Sequence, residues 1–433
     1  MVYRLGAISL LNGLLFGLLL TVAAGESAGA PSEPGGDDRT PRHVRVLWKH
    51  RPQHEAVVSW TTFASGQRHR LYYDTQPHYG NLDGYQRRTD QIDSGAFTLG
   101  SADRDRFAPG YYHHAHLDDL EPDTAYYFVA VTEDRVSEEF HFITAPEDDP
   151  QRLRVLFGGD SRIAGDEPYI HEDRRAMNRR IARLVEQHPD ILAFVHGGDY
   201  CQQAEWRFIK PWLDDHERIV TVEGRILPII PARGNHDRGI VFEETFYWPD
   251  RQNDYYYTIQ LTDQVALITL NTEISLGGDQ RDWLEAELAE HRPRNRWLFV
   301  QYHKPAYSSV RGIPDGEGRR RHFVPLFERY RVDLVCESHD HALKRTVPIL
   351  NGQPDHEEGI VYIGDGGLGV PQREPDPSRW WFQEPGFTRP VHHVQMLTFE
   401  HDQLRVQAFG KEGETLDDFT VEPRAAVGVE ASR

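Results

Sequence analysis

Apolar positions along the chain follow two different periods, and the change falls near residue 150. Before it, short segments alternate on a two-residue period at 56–62, 70–73, 111–117, 125–131 and 139–144, with turn residues between them. Alternation turns one face of a strand to a core and the other to solvent. Five such segments in about 100 residues predict an antiparallel β-sandwich. After a Pro/Asp-rich linker at 145–152, continuous apolar runs rich in β-branched residues take turns with helical stretches at 174–187 and 280–291. In the second helix Trp283, Leu284, Leu288 and Ala289 recur at helical spacing. Strands alternating with helices predict a layered α/β domain, continuing through strand-like 391–399 and 404–409 to about residue 423.

Five of these later runs end on residues that ligate metals. Residues 153–159 lead to Asp160, 191–198 to Asp199, 229–234 to Asn235, 297–302 to His303, and 332–338 to His339 and His341. Continuous apolar runs are the mark of buried parallel strands. In an open α/β sheet their carboxyl ends converge on one crevice, where ligands bind. So many buried Asp and His side chains are costly to satisfy without a cation. Hydrolysing a phosphoester requires water to become nucleophilic near neutral pH and the phosphoryl oxygens to be neutralised. Two metal ions about 3.5–4 Å apart, sharing a carboxylate, do both. Asp199 is the natural bridge, Asn235 a neutral oxygen donor and the histidines nitrogen donors. His236 could protonate the leaving alkoxide.

Gly159-Asp160, Gly198-Asp199, Gly234-Asn235-His236-Asp237, His303 and His339-Asp340-His341 together resemble the five motifs of the calcineurin-like metallophosphoesterases. The segments at 302–309 and 325–334 and the glycine turn 364–367 are similar to the purple acid phosphatase branch, as is a β-sandwich ahead of the catalytic domain. The corner at 120–127 resembles that of fibronectin type III domains, where a Tyr hydroxyl pins the turn. The resemblance covers about residues 44–423. It implies a fibronectin type III-like antiparallel sandwich followed by an α-β-β-α layered metallophosphoesterase domain. One metal would be held by Asp160, Asp199 and His341, the other by Asp199, Asn235, His303 and His339. His236 would contact the phosphate and assist the leaving group. Beyond the resemblance, we assign Arg162, Asn235, His236 and His303 to face the substrate, with His236, Asp160 and Arg162 serving catalysis.

Two positions depart from the family pattern. Most calcineurin-like enzymes carry a His two residues after the first Asp, where this chain has Arg162. Purple acid phosphatases supply instead a Tyr three residues after the second Asp, where this chain has Gln202. The first metal thus has three evident protein ligands, which water, Gln202 or Cys201 could complete, and its occupancy is an open question. Tyr200, one residue after Asp199, points away from the Gln202 side in an extended segment, so the purple charge-transfer colour is not expected. Arg162 is either a guanidinium for phosphate or a structural ion pair.

Composition adds limits. A net charge of -20 over 433 residues argues against a general nucleic-acid binder. Residues 5–22 are nearly all apolar, follow Arg4 and lead to Thr21-Val22-Ala23-Ala24, the form of a signal peptide cleaved after Ala24 rather than a retained anchor. No later segment is apolar enough to cross a membrane. The expected organisation is a signal at 1–24, a tether at 25–40, the sandwich at 41–146, the phosphoesterase domain at 150–423 and a disordered tail at 424–433, in a secreted or periplasmic protein. The two cysteines, Cys201 and Cys336, read as buried thiols, a disulfide or a soft ligand. His113, His114 and His116 read as ordinary strand residues.

The function expected is a metal-dependent phosphoester hydrolase of acid phosphatase type, using a metal-bound hydroxide with Fe, Zn or Mn, on small-molecule or exposed phosphoesters. The alternatives are a phosphodiesterase acting on nucleotide or lipid diesters, and a catalytically weakened phosphate-binding protein. Trp380, Trp381 and Phe382 would either stack on a base or cap the core.

Overall fold

The structure, a computed structural model, describes residues 38–424 except 49, 102–103, 149, 164–170 and 249–253. The segments expected as an export signal and as the tail after residue 424, and most of the expected tether, lie outside the described residues.

The alternating segments form the sandwich where the pattern placed them. Ala56–Thr62 pairs antiparallel with Tyr111–Leu117, and His69–Asp74 pairs with Ala125–Thr132. Their inward faces bury Trp60, Leu71, Ala115, Tyr126, Phe128 and Phe142. The Tyr126 hydroxyl accepts the Glu121 N–H at 2.8 Å, pinning the corner as the resemblance implies.

The expected break between the domains is absent from the sheet. Arg42–Leu47 lies parallel to Ile229–Pro231, with Leu47 opposite Ile229 and the Trp48 N–H donating to the Ile229 carbonyl at 3.0 Å. One ten-stranded sheet therefore runs from the sandwich strands through Ile229–Pro231, Ile191–His196 and Arg152–Gly158 to the C-terminal hairpins. The linker is tied down too. The Ala145 N–H donates to Pro52 O at 3.0 Å, and Glu147 O accepts the Asp263 N–H at 3.1 Å.

A second sheet of seven strands stacks on the first and contains Val265–Thr269, Trp297–Gln301, Leu334–Cys336 and Val361–Gly364 in parallel. Between the sheets Val155, Phe157 and Val195 meet Phe299, Leu334 and Ile363. Phe299 packs on Phe399 at 5.1 Å between ring centroids, so truncating it to Ala would cost about 3–5 kcal/mol by opening a cavity. The helix Glu172–Gln187 covers the outer face of the first sheet with Met177, Ile181, Leu184 and Val185, spaced on one helical stripe. Asp279–His291 covers the second sheet with Leu284 and Leu288, while Ala289, assigned to the same stripe from sequence, is exposed. The result is the expected α-β-β-α layering.

One expectation is corrected. The ligand-bearing strand ends do not belong to one open sheet. Arg152–Gly158, Ile191–His196 and Ile229–Pro231 lie in the first sheet, and Trp297–Gln301 and Leu334–Cys336 in the second. The crevice is the seam where two stacked sheets end together.

Candidate metal centre

Each ligand loop leaves its strand abruptly and is zipped to the next. The Asp160 N–H donates to Gly198 O at 2.9 Å, the Arg162 N–H to Asp199 O at 3.0 Å and the Ser338 N–H to His303 O at 3.0 Å. The loop after Val361–Gly364 closes the ring, with the Val370 N–H on Asp160 O and the Arg373 N–H on His341 O. These bonds bring Asp160, Asp199, Asn235, His303, His339 and His341 into one place. Donor atoms of Asp199, His303 and His339 lie within 4.8 Å of one another, as do those of Asp160, Asp199 and His341. All but the half-buried Asn235 are buried.

The orientation of the imidazoles tests whether the set suits cations. His303 turns Nδ1 to the Gly197 carbonyl at 2.9 Å, and His341 turns Nδ1 to the Pro371 carbonyl at 3.1 Å. A carbonyl only accepts, so in the neutral ring each Nδ1 carries the proton and each Nε2 presents a lone pair. The Nε2 of His303 lies 3.3 Å from Asp199 Oδ1, 3.2 Å from Asn235 Oδ1 and 3.1 Å from His339 Nδ1. The Nε2 of His341 lies 3.3 Å from Asp160 Oδ1, a buried oxygen with no hydrogen-bond partner among the described residues. Lone pairs facing lone pairs at this range call for positive charge between them. His303 registers the same demand. Burial pulls its pKa down, yet the Asp199 and Asp160 carboxylates push it up to about 10. The donor set fits metal ions.

A buried frame that the sequence reading did not pick out holds the ligands. Asp237 accepts N–H bonds from Asp199 at 2.7 Å, Gly234 at 2.8 Å and Tyr200 at 3.0 Å. Burial, then the Asp199 charge, raises its pKa to about 7. Under the histidine loop, Lys344 donates to Glu337 at 2.6 Å and lies 3.2 Å from Asp365. Glu337 accepts from the Tyr302 hydroxyl and the Ala306 N–H. Asp340 accepts from the Ser309 N–H at 2.6 Å and the Val310 N–H at 3.1 Å. Asp237, Asp340 and Asp365 stand inside the family-like motifs, but only folding brings Lys344 and Glu337 against them.

The two departures from the family pattern touch each other. Arg162 donates from Nη1 to Gln202 Oε1 at 2.7 Å and sets Nε 3.4 Å from Asp199 Oδ2. Cys201 and Cys336 are free and buried, which removes the disulfide reading. The Cys201 thiol donates to Gln203 O at 2.9 Å, burial pushes its pKa up, and its sulfur joins neither group of converging donor atoms among the described residues. Tyr200 stacks on His196 at 3.9 Å in the core. His236 anchors Nδ1 on Gln202 O at 2.7 Å and keeps Nε2 3.9 Å from Asp199 Oδ2. Beside it opens a polar cleft of about 290 Å³ lined by Gln202, Gln203, Glu205, Asn235 and Arg238. Trp381 and Phe382 are buried in the second core, and Trp381 Nε1 donates to Ser308 O at 3.2 Å. His113 bonds Ser94 and Thr62, and His114 bonds Ser59 and Glu244 O.

Known proteins resemble this chain in both parts. Residues 41–144 match the purple acid phosphatase N-terminal domain, and residues 154–343 match the calcineurin-like phosphoesterase domain. Purple acid phosphatase 18 of Arabidopsis thaliana is 27% identical over 318 residues, 68% of this chain and 67% of that one. The Fe(3+)-Zn(2+) purple acid phosphatase 12 of the same plant is 26% identical over 329 residues, 67% of this chain and 68% of that one. In fold, the purple acid phosphatase PPD1 from yellow lupin seeds superposes with a TM-score of 0.73 at 21% identity, over 88% of this chain and 74% of that one. The two domain matches in series, on the same sandwich and metal-ligating seam described above, show that the chain belongs to the calcineurin-like metallophosphoesterases, in the purple acid phosphatase-like branch.

Proposed function

We propose that this protein is an exported, metal-dependent phosphoester hydrolase of acid phosphatase type. The observation that carries the reading is the pair of imidazoles, His303 and His341, whose outward nitrogens are locked onto carbonyls and whose inward lone pairs meet carboxylate oxygens. In this reading Asp160, Asp199 and His341 hold one ion, and Asp199, Asn235, His303 and His339 hold the other. When bound, such ions neutralise phosphoryl oxygens and make water nucleophilic near neutral pH.

The chain's own residues do the rest. His236, held by Gln202 O through Nδ1, presents Nε2 at the cleft mouth and, as the imidazolium, donates the Nε2 proton to the departing oxygen. Arg162 offsets charge on Asp199 and presents a guanidinium to the phosphate. Asn235 and His303 bound the same surface. Export is supported by the apolar run at 5–22 and its small-residue exit, and no helix among the described residues is long and apolar enough to cross a membrane. Sequencing the N-terminus of the mature protein should return Gly25.

The deciding experiment combines metal analysis of protein purified without chelators with turnover of para-nitrophenyl phosphate and its bis-ester. Stoichiometric metal and faster turnover of the monoester are expected. Faster turnover of the bis-ester shifts the reading to a diesterase, and protein with neither metal nor turnover refutes it. Arg162→Ala should raise KM or lower kcat about ten-fold or more with little change in stability, as for a lost charge-assisted phosphate contact. Unchanged kinetics would assign Arg162 to structure alone.

A further inference from the structure

We propose that Arg311 and Arg373 form a subsite for a second anionic group on the substrate, so that the enzyme prefers phosphoesters or phosphoanhydrides bearing a carboxylate or phosphate beyond the scissile phosphorus. This rests on the hydrolase reading above.

Both arginines stand at the rim of the metal-ligating seam. Arg373 donates its backbone N–H to His341 O and its Nη1 to His339 O, each at 3.1 Å, which plants the side chain beside two of the ligand histidines. Arg311 approaches from the loop that follows His303. Its Nε reaches 3.5 Å from Asp340 Oδ1 and makes no hydrogen bond, while the other Asp340 oxygen is taken by Ser308, Ser309 and Val310.

A guanidinium on a protein surface usually finds a carboxylate. Arg162 has Asp199, Arg238 has Glu273 and Lys304 has Glu273. Among the described residues Arg373 forms no ion pair, and Arg311 has only the loose one with Asp340. Neither is expelled into water, since both are half-buried. The cluster is close enough for its charges to be felt: burial first, then Arg311 and Arg162, lower the Arg373 pKa, against the pull of the Asp160 and Asp340 carboxylates. In a chain with net charge -20, two cations with one loose ion pair between them, gathered at one rim, are not a by-product of composition. Planar, always charged and forked, guanidinium suits carboxylate and phosphate alike. The scissile phosphate already has the ions and Arg162 to meet it, so two further cations exceed what a single dianion needs.

The test compares kcat/KM for para-nitrophenyl phosphate, inorganic pyrophosphate and 2-phosphoglycolate in the metal-loaded wild type and in Arg311→Gln, Arg373→Gln and Arg373→Lys. Because each ratio is taken within one variant, losses of folding or metal cancel. The proposal expects the ratio of a doubly anionic substrate to para-nitrophenyl phosphate to fall at least ten-fold in the Gln variants and to recover partly in Arg373→Lys. A fall for pyrophosphate alone identifies phosphate as the second group, and a fall for phosphoglycolate identifies carboxylate. An equal loss on all substrates places the arginines on the scissile phosphate, and an unchanged ratio leaves them no role; either overturns the proposal. If the wild type turns over nothing, the hydrolase reading has failed and calorimetry decides this inference separately. Pyrophosphate must then bind more tightly than orthophosphate to the wild type, with the difference lost in the variants, or the subsite is rejected.

Discussion

Four of the six proposed ligand residues hold a backbone conformation that side chains rarely adopt. Asp160, Asp199, His339 and His341 have φ of 57°, 58°, 84° and 63°. Each such residue costs about 1–3 kcal/mol, sustained only where the surroundings over-determine it. Here the zipped loops and the Asp237 carboxylate do so. One glycine is equally constrained. Gly366 has φ 89°, and a Cβ there would collide with Asp160 Oδ2. Gly366→Ala should therefore lower metal content at least ten-fold while the far-ultraviolet circular dichroism spectrum stays native; full metal retention would show that Asp160 can move aside. A second prediction concerns colour. Tyr200 lies in the core against His196, and Gln202 stands where the purple acid phosphatase pattern places its tyrosine. Purified protein should lack a tyrosinate-to-iron absorption band, and a purple preparation contradicts this site geometry.

At the scale of elements, strand ends aim the ligands and buried charges hold the loops between them. Lys344 is fully buried among Glu337, Asp365 and Asp340. Replacing it with Met leaves carboxylates without a cation in a dry interior. Lys344→Met should cost about 3–5 kcal/mol in denaturant unfolding, as breaking a buried pair does. A loss below about 1 kcal/mol would mean that the carboxylates take up protons instead. The same elements show what sequence can read. The sandwich strands and both long helices appear at nearly the expected residues, because local periodicity reports burial. The strands Arg42–Leu47 and Thr415–Val421 went unread, because partners distant in the chain, not period, make them strands. The candidate ligands were legible as polar residues closing apolar runs. Lys344, Arg311 and Arg373 were not, because nothing in their local sequence separates them from surface charges, and the pairing of Lys344 with Glu337 and Asp365, which lie in segments that were read, joins parts of the chain that no local pattern links.

Over the whole molecule, stability and pH are linked through buried histidines. Burial above all holds His113 down to about 2, His216 to about 3 and His393 to about 4, against an ordinary value of 6.5. Below 6.5 the unfolded chain takes up protons that the folded chain refuses. Their contribution is thus full above 6.5 and is lost as pH falls toward the folded values. Tm should fall steadily from about pH 7 to about pH 4.5. His113→Gln, in the sandwich and away from the metal ligands, should reduce that loss by about 2 kcal/mol, at 1.36 kcal/mol per pKa unit. An unaltered pH slope would show that His113 is protonated in the native state. The shared sheet makes a further demand: residues 150–424 alone would expose the Ile229–Pro231 edge and should aggregate, whereas a soluble monomer would show the domains to be separable.

The sequence by itself determined the kind of structure and the kind of chemistry. Period-two and period-3.6 patterns specify a sandwich and an α/β layer because burial acts on neighbouring residues, and hard donors at the ends of apolar runs specify a metal-ligating seam. Only the tertiary structure decided that the seam joins two sheets rather than ending one, that both domains share a sheet, that Arg162 rests on Asp199 and Gln202, and that two arginines meet at the rim with little to neutralise them. Each of these is a pairing between distant parts of the chain. It depends on where the backbone ends up in space, and no local pattern carries that information.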